Sequence, residues 1–441
     1  MPEVTLNEIL ASREERVKRQ KELIDKYKCP LVYFTMNIAG PVKTNTLIEK
    51  AFYEGVERIK SALQDKMILY QDAFVKHTGC EAVFSVKDDA NSLKKLCVEI
   101  EQSNRIGRLY DIDIIDTNGK KIERATERNC IVCGSHGRGC AAGRIHSVSE
   151  LQSITKEIIL THFLKKMKET CSSLAVKSLL DEVYTTPKPG LVDRRNNGSH
   201  KDMNVVLFEK SALSLKTYFE QCFSVGYETC TSDYNTTFSV LRRLGLEAES
   251  KMFSVTDGVN THKGIIYSIG VLCGAIGRLW KPENSFPEIS DICYESAKIV
   301  EKSVVDDFAE IDSSTAGGKL YLKYGLTGIR GEVASGFQSV LKISLPVYEK
   351  LLSEKYNLND AGTITLLHLI SAVKDTNIFH RGGIEGAAFA TKSACEILKN
   401  SDITHSQIHS LDDEFIKRNI SPGGCADLLA VTYFLHGLKS L

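Results

Sequence analysis

SELQSITKEIILTHFLKKMKETCSSLAVKSLLDEVY, residues 149–184, is where the character of the chain changes. Its apolar residues recur at three- and four-residue spacing with no alternation by twos, the signature of helix rather than strand. Upstream the texture is mixed. Strand-like runs stand at PLVYFTMNIAGP (30–41), EAVFSVK (81–87), RLYDIDIID (108–116) and NCIVCG (129–134), with helical stretches near 46–64 and 89–103. Ser12 and Glu15 have capping-box spacing, with Leu10, Val17 and Leu23 at helical intervals around them. Asn118-Gly119, between RLYDIDIID and KKIERATE (120–127), is a two-residue hairpin signal. Downstream, HKGIIYSIGVLCGAIGRLW (262–280) and CADLLAVTYFLHGLKSL (425–441) repeat the helical texture. The pattern predicts an α+β domain over residues 1–165 and an all-α helical domain over 166–441.

The chain has 441 residues, and 56 basic side chains balance 56 acidic ones, so no overall field holds nucleic acid or an anionic membrane. Any anion must be gripped locally. The N-terminus is amphipathic and charged rather than signal-like, and the longest apolar run is broken by four glycines, so a cytoplasmic protein with no membrane partner is expected. Thirteen cysteines without a signal read as reduced thiols.

Asp111 and Asp113 are two apart in a strand-like run, so their carboxylates share a face. Such a pair is tolerable around a divalent cation, and Mg2+ held by one or two carboxylates plus substrate phosphates is a common transfer site. Downstream, Cys130, Cys133, Cys140 and His146 have the residue types of a Cys3His zinc site, but the paired elements of usual zinc patterns are missing. The favoured reading is reduced cysteines beside the phosphate-binding Arg138 and Arg144.

TTPKPGLVDRRNNGSHKDM, residues 185–203, leaves the helix at its prolines and forms a stiff loop that pre-positions Lys188, Asp193, Arg194, Arg195, His200 and Asp202 around a polyanion and its cation. Four other Gly-containing turns at helix starts have the same polar character. They carry Asp257, His262 and Lys263; Arg330 and Glu332; Asp375, Asn377 and Arg381; and Asp427. Helix starts offer free amides and a positive dipole end, so five converging turns would bind phosphates without net basic charge.

From about residue 170 onward, TPKPGLVDRRNNGSHKDM, VNTHKG, GIRGE, DTN followed by HRGG, and SPGGCADLLAVTYFLHG closely resemble triphosphoribosyl-dephospho-CoA synthase, which makes the prosthetic-group precursor of citrate lyase. The N-terminal RE.R, TMNIAGPVK, GRLYDIDIID and cysteine cluster are similar to the holo-citrate lyase synthase that attaches it. The AAGR stretch at 141–144 carries one arginine fewer than that family's pattern. The resemblance implies a bifunctional transferase with a nucleotidyltransferase-like first domain. It implies that ATP and 3'-dephospho-CoA are joined with loss of adenine, and that phosphoribosyl-dephospho-CoA then passes to a serine of the acyl carrier (γ) subunit with release of pyrophosphate.

On this reading the acid, base and charge-stabilising candidates are Asp111, Asp113, Asp193, Asp202, Glu332 and Asp427, and Mg2+ is expected at Asp111, Asp113 and Asp257. Substrate would be held by Lys43, Arg108, Arg138, Arg144 and His146 in the first domain. In the second it would be held by Lys188, Arg194, Arg195, His200, His262, Lys263, Arg330, Asp375, Asn377 and Arg381. Two other readings use the same residues: a magnesium-dependent hydrolase of ADP-ribose type, and a non-catalytic nucleotide-binding scaffold.

Overall fold

The computed structural model describes residues 3–309, 315–400 and 402–441. The chain divides into two compact units, Met1–Lys166 and Met167–Leu441, with the division inside one long helix.

The first unit contains α1 (Leu6–Tyr27), β1 (Leu31–Met36), α2 (Thr46–Ala62), β2 (Met67–Lys76), β3 (Gly79–Lys87), α3 (Ala90–Gln102), β4 (Tyr110–Ile115), α4 (Gly137–Ala142) and the first part of α5 (Val148–Tyr184). Its sheet has the order β2-β3-β1-β4 with antiparallel pairing throughout. The alternation of β1 and β4 sorts their side chains. Val32, Phe34, Tyr110, Ile112 and Ile114 pack with α2 and α3, while Leu31, Tyr33 and Ile115 meet Leu23 and Ile24 of α1 on the other face.

Several local expectations are corrected. The capping box that starts α1 is Thr5 with Glu8, and Ser12 and Glu15 lie inside the helix. The same S/T-x-x-E spacing occurs seven residues earlier, where the helix begins. β2 is a strand the sequence pattern did not mark: MILYQDAFVK lies at the sheet edge, and none of its residues is fully buried. The Asn118-Gly119 turn forms, but the returning arm is joined by the isolated bridge Ile115↔Lys121, with the Asp116 N–H to the Lys120 carbonyl at 2.9 Å and the Ile122 N–H to the Ile114 carbonyl at 2.8 Å, and does not extend into a strand. Residues 129–134 are turns rather than a strand.

The described residues of the second unit form helices and no strand. After the second part of α5 come α6 (Val205–Ser214), α7 (Lys216–Glu228), α8 (Tyr234–Val255), α9 (Lys263–Leu279), α10 (Ile289–Ala309), α11 (Ala316–Tyr324) and α12 (Gly328–Ala334). They are followed by α13 (Leu345–Ser353), α14 (Leu358–Ala372), α15 (Thr376–Leu398), α16 (His405–Lys417) and α17 (Gly423–Leu438). Helix α9 is buried along almost its whole length. Its glycines are there for close approach: a Cβ on Gly277 would lie 2.1 Å from the Phe223 carbonyl oxygen, and one on Gly226 of α7 would lie 1.9 Å from that of Gly274. The backbones of α7 and α9 therefore touch, and no side chain fits between them. Gly226→Ala is expected to cost about 1–3 kcal/mol by overpacking, read as a lower thermal unfolding midpoint. None of the helices among the described residues is long and apolar enough to cross a membrane.

Candidate functional site

In the second unit all five polar turns reach one cavity of about 590 Å3. Its wall includes Lys188 and His200 from the proline-rich loop, His262 and Lys263 at the start of α9, Arg330 of α12, Asn377 and Arg381 of α15, and Asp427 of α17. Of these starts, α9, α12 and α17 have no cap from the N-cap side chain; in α9 the Lys263 amide is taken by Asn260 at 3.2 Å and in α17 the Cys425 amide by Asp375 at 2.8 Å, which leaves their remaining first-turn amides for another partner. Lys263 and Arg330 are paired on the wall with Glu249 at 2.9 Å and Asp307 at 3.0 Å. Arg381 donates to the Ser199 carbonyl at 2.8 Å and stands 3.3 Å from Nδ1 of His200, whose Nε2 meets the Ser421 hydroxyl at 2.8 Å.

Asp427 differs from the other carboxylates here. It makes no hydrogen bond or ion pair to a described residue, and burial, with repulsion from Glu182 and Asp375, holds its carboxyl well above the usual range. An uncompensated acid in a cavity wall is the usual setting of a proton-transfer group. His262 complements it. Its Nδ1 is 2.7 Å from the Ser211 hydroxyl, its Nε2 has no partner, and burial lowers it to about 3, so it serves as a neutral hydrogen-bonding ring rather than a phosphate-clamping cation.

Other expected residues build the loop instead of lining the cavity. The Asp193 carboxylate accepts from the backbone N–H of Lys188 at 2.9 Å, Arg195 at 2.7 Å and Asn196 at 3.1 Å. Arg195 pairs with Asp412 at 2.7 Å, and Asp412 also accepts from the Gly190 N–H and from Asn196, each at 2.8 Å. Arg194 lies over the Tyr184 ring at 4.1 Å. Lys188 does line the cavity but is almost wholly buried, its ammonium donating to the Glu182 carboxylate and, at 2.7 Å, to the Glu182 carbonyl. Asp375 caps α15 through the Asn377 and Ile378 amides and reaches the Cys425 amide of α17 at 2.8 Å, tying two helix starts together behind the wall. Glu332 accepts from Ser339, whereas Asp202 and Asp257 are exposed and off the cavity. Glu182, Glu249 and Tyr267 line it without having been marked in the sequence.

The first unit has its own cavity, about 850 Å3, lined by Asp111, Asp113, Arg108, Arg138, Arg144 and His146. Asp111 and Asp113 project from the same face of β4, opposite Thr35 and Tyr33 of β1. Asp113 faces Lys121 at 2.6 Å and Asp111 faces Arg128 at 3.5 Å. Lys43 is not on the wall, because its ammonium donates to the Ile38 carbonyl at 2.6 Å.

Arg124, from the expected hairpin arm, and Arg128, the residue just after it, join the wall instead. Both converge on the buried Glu101, and Arg128 also donates to the Tyr110 carbonyl at 2.8 Å. Nε and one terminal nitrogen of Arg124 are shut from solvent without a partner, leaving donors for an anion. The sulfur atoms of Cys130, Cys133 and Cys140 and a ring nitrogen of His146 lie within 4.8 Å of one another.

Residues 168–441 match the family model of ATP:dephospho-CoA triphosphoribosyl transferase, and residues 4–162 that of apo-citrate lyase phosphoribosyl-dephospho-CoA transferase. Protein CitXG of Haemophilus influenzae is 36% identical over 99% of this chain and 97% of its own length. The chain belongs to the family that fuses these two transferases. Protein CitXG of Leuconostoc mesenteroides is 29% identical over 99% of this chain and 97% of its own length. The 2-(5''-triphosphoribosyl)-3'-dephosphocoenzyme-A synthase of Escherichia fergusonii is 39% identical over 60% of this chain and 89% of its own. The triphosphoribosyl transferase match spans every turn on the second cavity, and the phosphoribosyl-dephospho-CoA transferase match spans every residue of the first.

In the triphosphoribosyl transferase part, Gly264 is a checkable constraint. A Cβ there would lie 2.0 Å from Oδ2 of Asp427, so the glycine makes room for the carboxylate at the start of α9. Gly264→Ala is expected to lower adenine release at least tenfold by displacing Asp427, with little change in the melting temperature because the group moves toward open cavity.

Proposed function

We propose that the unit Met167–Leu441 joins ATP to 3'-dephospho-CoA and expels adenine, and that the unit Met1–Lys166 transfers phosphoribosyl-dephospho-CoA from that product to a serine of the citrate lyase acyl carrier (γ) subunit. One observation carries the reading. Turns from five separate parts of a charge-neutral chain bring Lys263, Arg330, Arg381 and the starts of α9 and α17 to one cavity around a single unpartnered carboxyl.

In the first reaction the 2'-hydroxyl oxygen of dephospho-CoA forms a bond to C1' of the ATP ribose as the bond to adenine breaks. Positive charge develops on the ribose, and adenine must leave with a proton. Asp427, held protonated by its surroundings, donates to the departing base, and the carboxylate so formed faces the positive carbon and takes up the hydroxyl proton. The group ends the cycle as it began. Lys263, Arg330, Arg381 and the amides that open α9 and α17 hold the triphosphate and CoA phosphates, exchanging their present partners for them. His262 offers its free nitrogen to a hydroxyl or base nitrogen.

In the second reaction the serine oxygen attacks the phosphorus next to the ribose, and pyrophosphate leaves. Arg108, Arg124, Arg128, Arg138 and Arg144 stabilise the charge that grows on it. Asp111 and Asp113, two oxygen donors on one face of β4, are the residues that would hold Mg2+. When bound, the ion would neutralise the leaving pyrophosphate, while Lys121 and Arg128 give up their carboxylate partners to phosphate. This nucleotidyltransferase-like arrangement is the same chemistry on one face of a small antiparallel sheet. Incubating the full chain with ATP, dephospho-CoA and the apo carrier subunit, then weighing the carrier by mass spectrometry, tests the whole sequence. The carrier is expected to gain the mass of phosphoribosyl-dephospho-CoA, and an unmodified carrier would refute the assignment.

A further inference from the structure

We infer that Cys130, Cys133, Cys140 and His146 form a closed structural zinc site that holds the arginine-bearing segment of the first unit in shape. Tetrahedral Zn2+ with sulfur ligands near 2.3 Å requires neighbouring sulfurs about 3.8 Å apart. The Cys133 and Cys140 sulfurs are 3.5 Å apart, and Nε2 of His146 is 3.3 Å from the Cys133 sulfur. All four ligand atoms fall within 4.8 Å, although three separate pieces of backbone supply them. None of the cysteines is in a disulfide.

The backbone around the cluster is shaped for an ion. Cys130 and Cys133 sit on one tight turn, closed by the Gly134 N–H to the Cys130 carbonyl at 3.1 Å, with Gly134 at φ +73° where a side chain would be strained. The Val132 N–H points to the Cys130 sulfur at 3.4 Å. Cys140 comes from α4 and His146 from the residues just before α5. The other ring nitrogen of His146, Nδ1, faces the Glu150 carboxylate at 3.4 Å, the outer partner that fixes the ring of a metal-bound histidine. Four protein ligands leave no open position, so the ion is structural and not catalytic.

Between Asn118 and α5 the described chain has only the short helix α4 and isolated bridges. It nevertheless supplies Arg124, Arg128, Arg138 and Arg144 to the cavity wall. Such a segment lacks an apolar core of its own, and a metal crosslink is the standard substitute. This role in placing the arginines rests on the proposed transfer reaction, but the presence of the ion does not.

The test is metal analysis of the full chain, by elemental mass spectrometry with parallel thiol titration. About one tightly held zinc per chain is expected, with a content at least tenfold lower in Cys133→Ser and unchanged in Cys230→Ser, whose thiol lies in the other unit. Should Cys133→Ser fail to fold, cobalt reconstitution of the wild-type chain decides, since three thiolates and an imidazole give strong charge-transfer bands and the tetrahedral cobalt spectrum. Wild-type protein that neither contains zinc nor takes up zinc or cobalt with its thiols reduced, a Cys133–Cys140 disulfide, or undiminished zinc in Cys133→Ser would overturn the proposal. Carrier labelling plays no part in any of these readouts, so failure of the site and failure of the transfer reading are told apart.

Discussion

Asp427→Asn is expected to lower adenine release from ATP and dephospho-CoA by about 10²–10⁴-fold, the range for loss of a positioned proton-transfer group. The change keeps the shape of the side chain and its place near the start of α17, so it removes proton transfer and charge without opening a cavity. The pH profile supplies a second signature. A carboxyl raised above its ordinary range by burial and by Glu182 and Asp375 is active in its protonated form, so the wild-type rate falls as pH rises through that raised value. The residual activity of Asp427→Asn lacks this limb. Carrier labelling from supplied triphosphoribosyl-dephospho-CoA should remain at the wild-type rate, because that reaction is proposed for the other cavity, which Asp427 does not line. An unchanged rate of adenine release would remove Asp427 from the chemistry.

The second large effect is expected for Asp111→Asn, which should abolish carrier attachment, a loss of at least about 10²-fold, while adenine release continues. Asp111 and Asp113 stand on one face of β4 with their backbone locked by pairing to β1, and both are partly exposed to the cavity. Removing one charge leaves a single carboxylate, already paired to Lys121, to anchor Mg2+ against pyrophosphate. The two products are measured separately, adenine by chromatography and labelled carrier by mass. Joint loss would mean that the two reactions share a site.

What the sequence could convey was limited by range. The passage from mixed texture to continuous helical texture near residue 149 is a matter of local period, and the chain indeed goes from a small antiparallel sheet with helices to helices alone. Turns with glycine and polar side chains at helix starts are also local, and eight of the marked residues in the second unit line the cavity they were expected to share: Lys188, His200, His262, Lys263, Arg330, Asn377, Arg381 and Asp427. What sequence could not show is which charges are spent on the fold itself. Asp193 is consumed by three amides of its own loop, and Arg195 by Asp412, a residue 217 positions away with no neighbouring signal.

The first unit was harder to read for a similar reason. KKIERATE looks like a strand arm, but the buried Glu101 draws in its Arg124 and the following Arg128, and the segment becomes part of a cavity wall. NCIVCG has the β-branched composition of a strand, yet the turn that gathers its cysteines with Cys140 and His146 prevails over that propensity. By spacing alone the cluster reads as reduced cysteines beside phosphate-binding arginines, because a second paired element is missing. Proximity of the four ligand atoms is a tertiary fact that spacing alone does not contain.

The central claim is that the cavity of the second unit carries out a ribosyl transfer to an acceptor rather than a hydrolysis. The direct measurement is adenine release from ATP by the full chain, with and without 3'-dephospho-CoA. Adenine formed only when the acceptor is present, in amounts equal to the triphosphoribosyl product, is the predicted result. Adenine formed equally well from ATP alone, or none under either condition, would contradict the account.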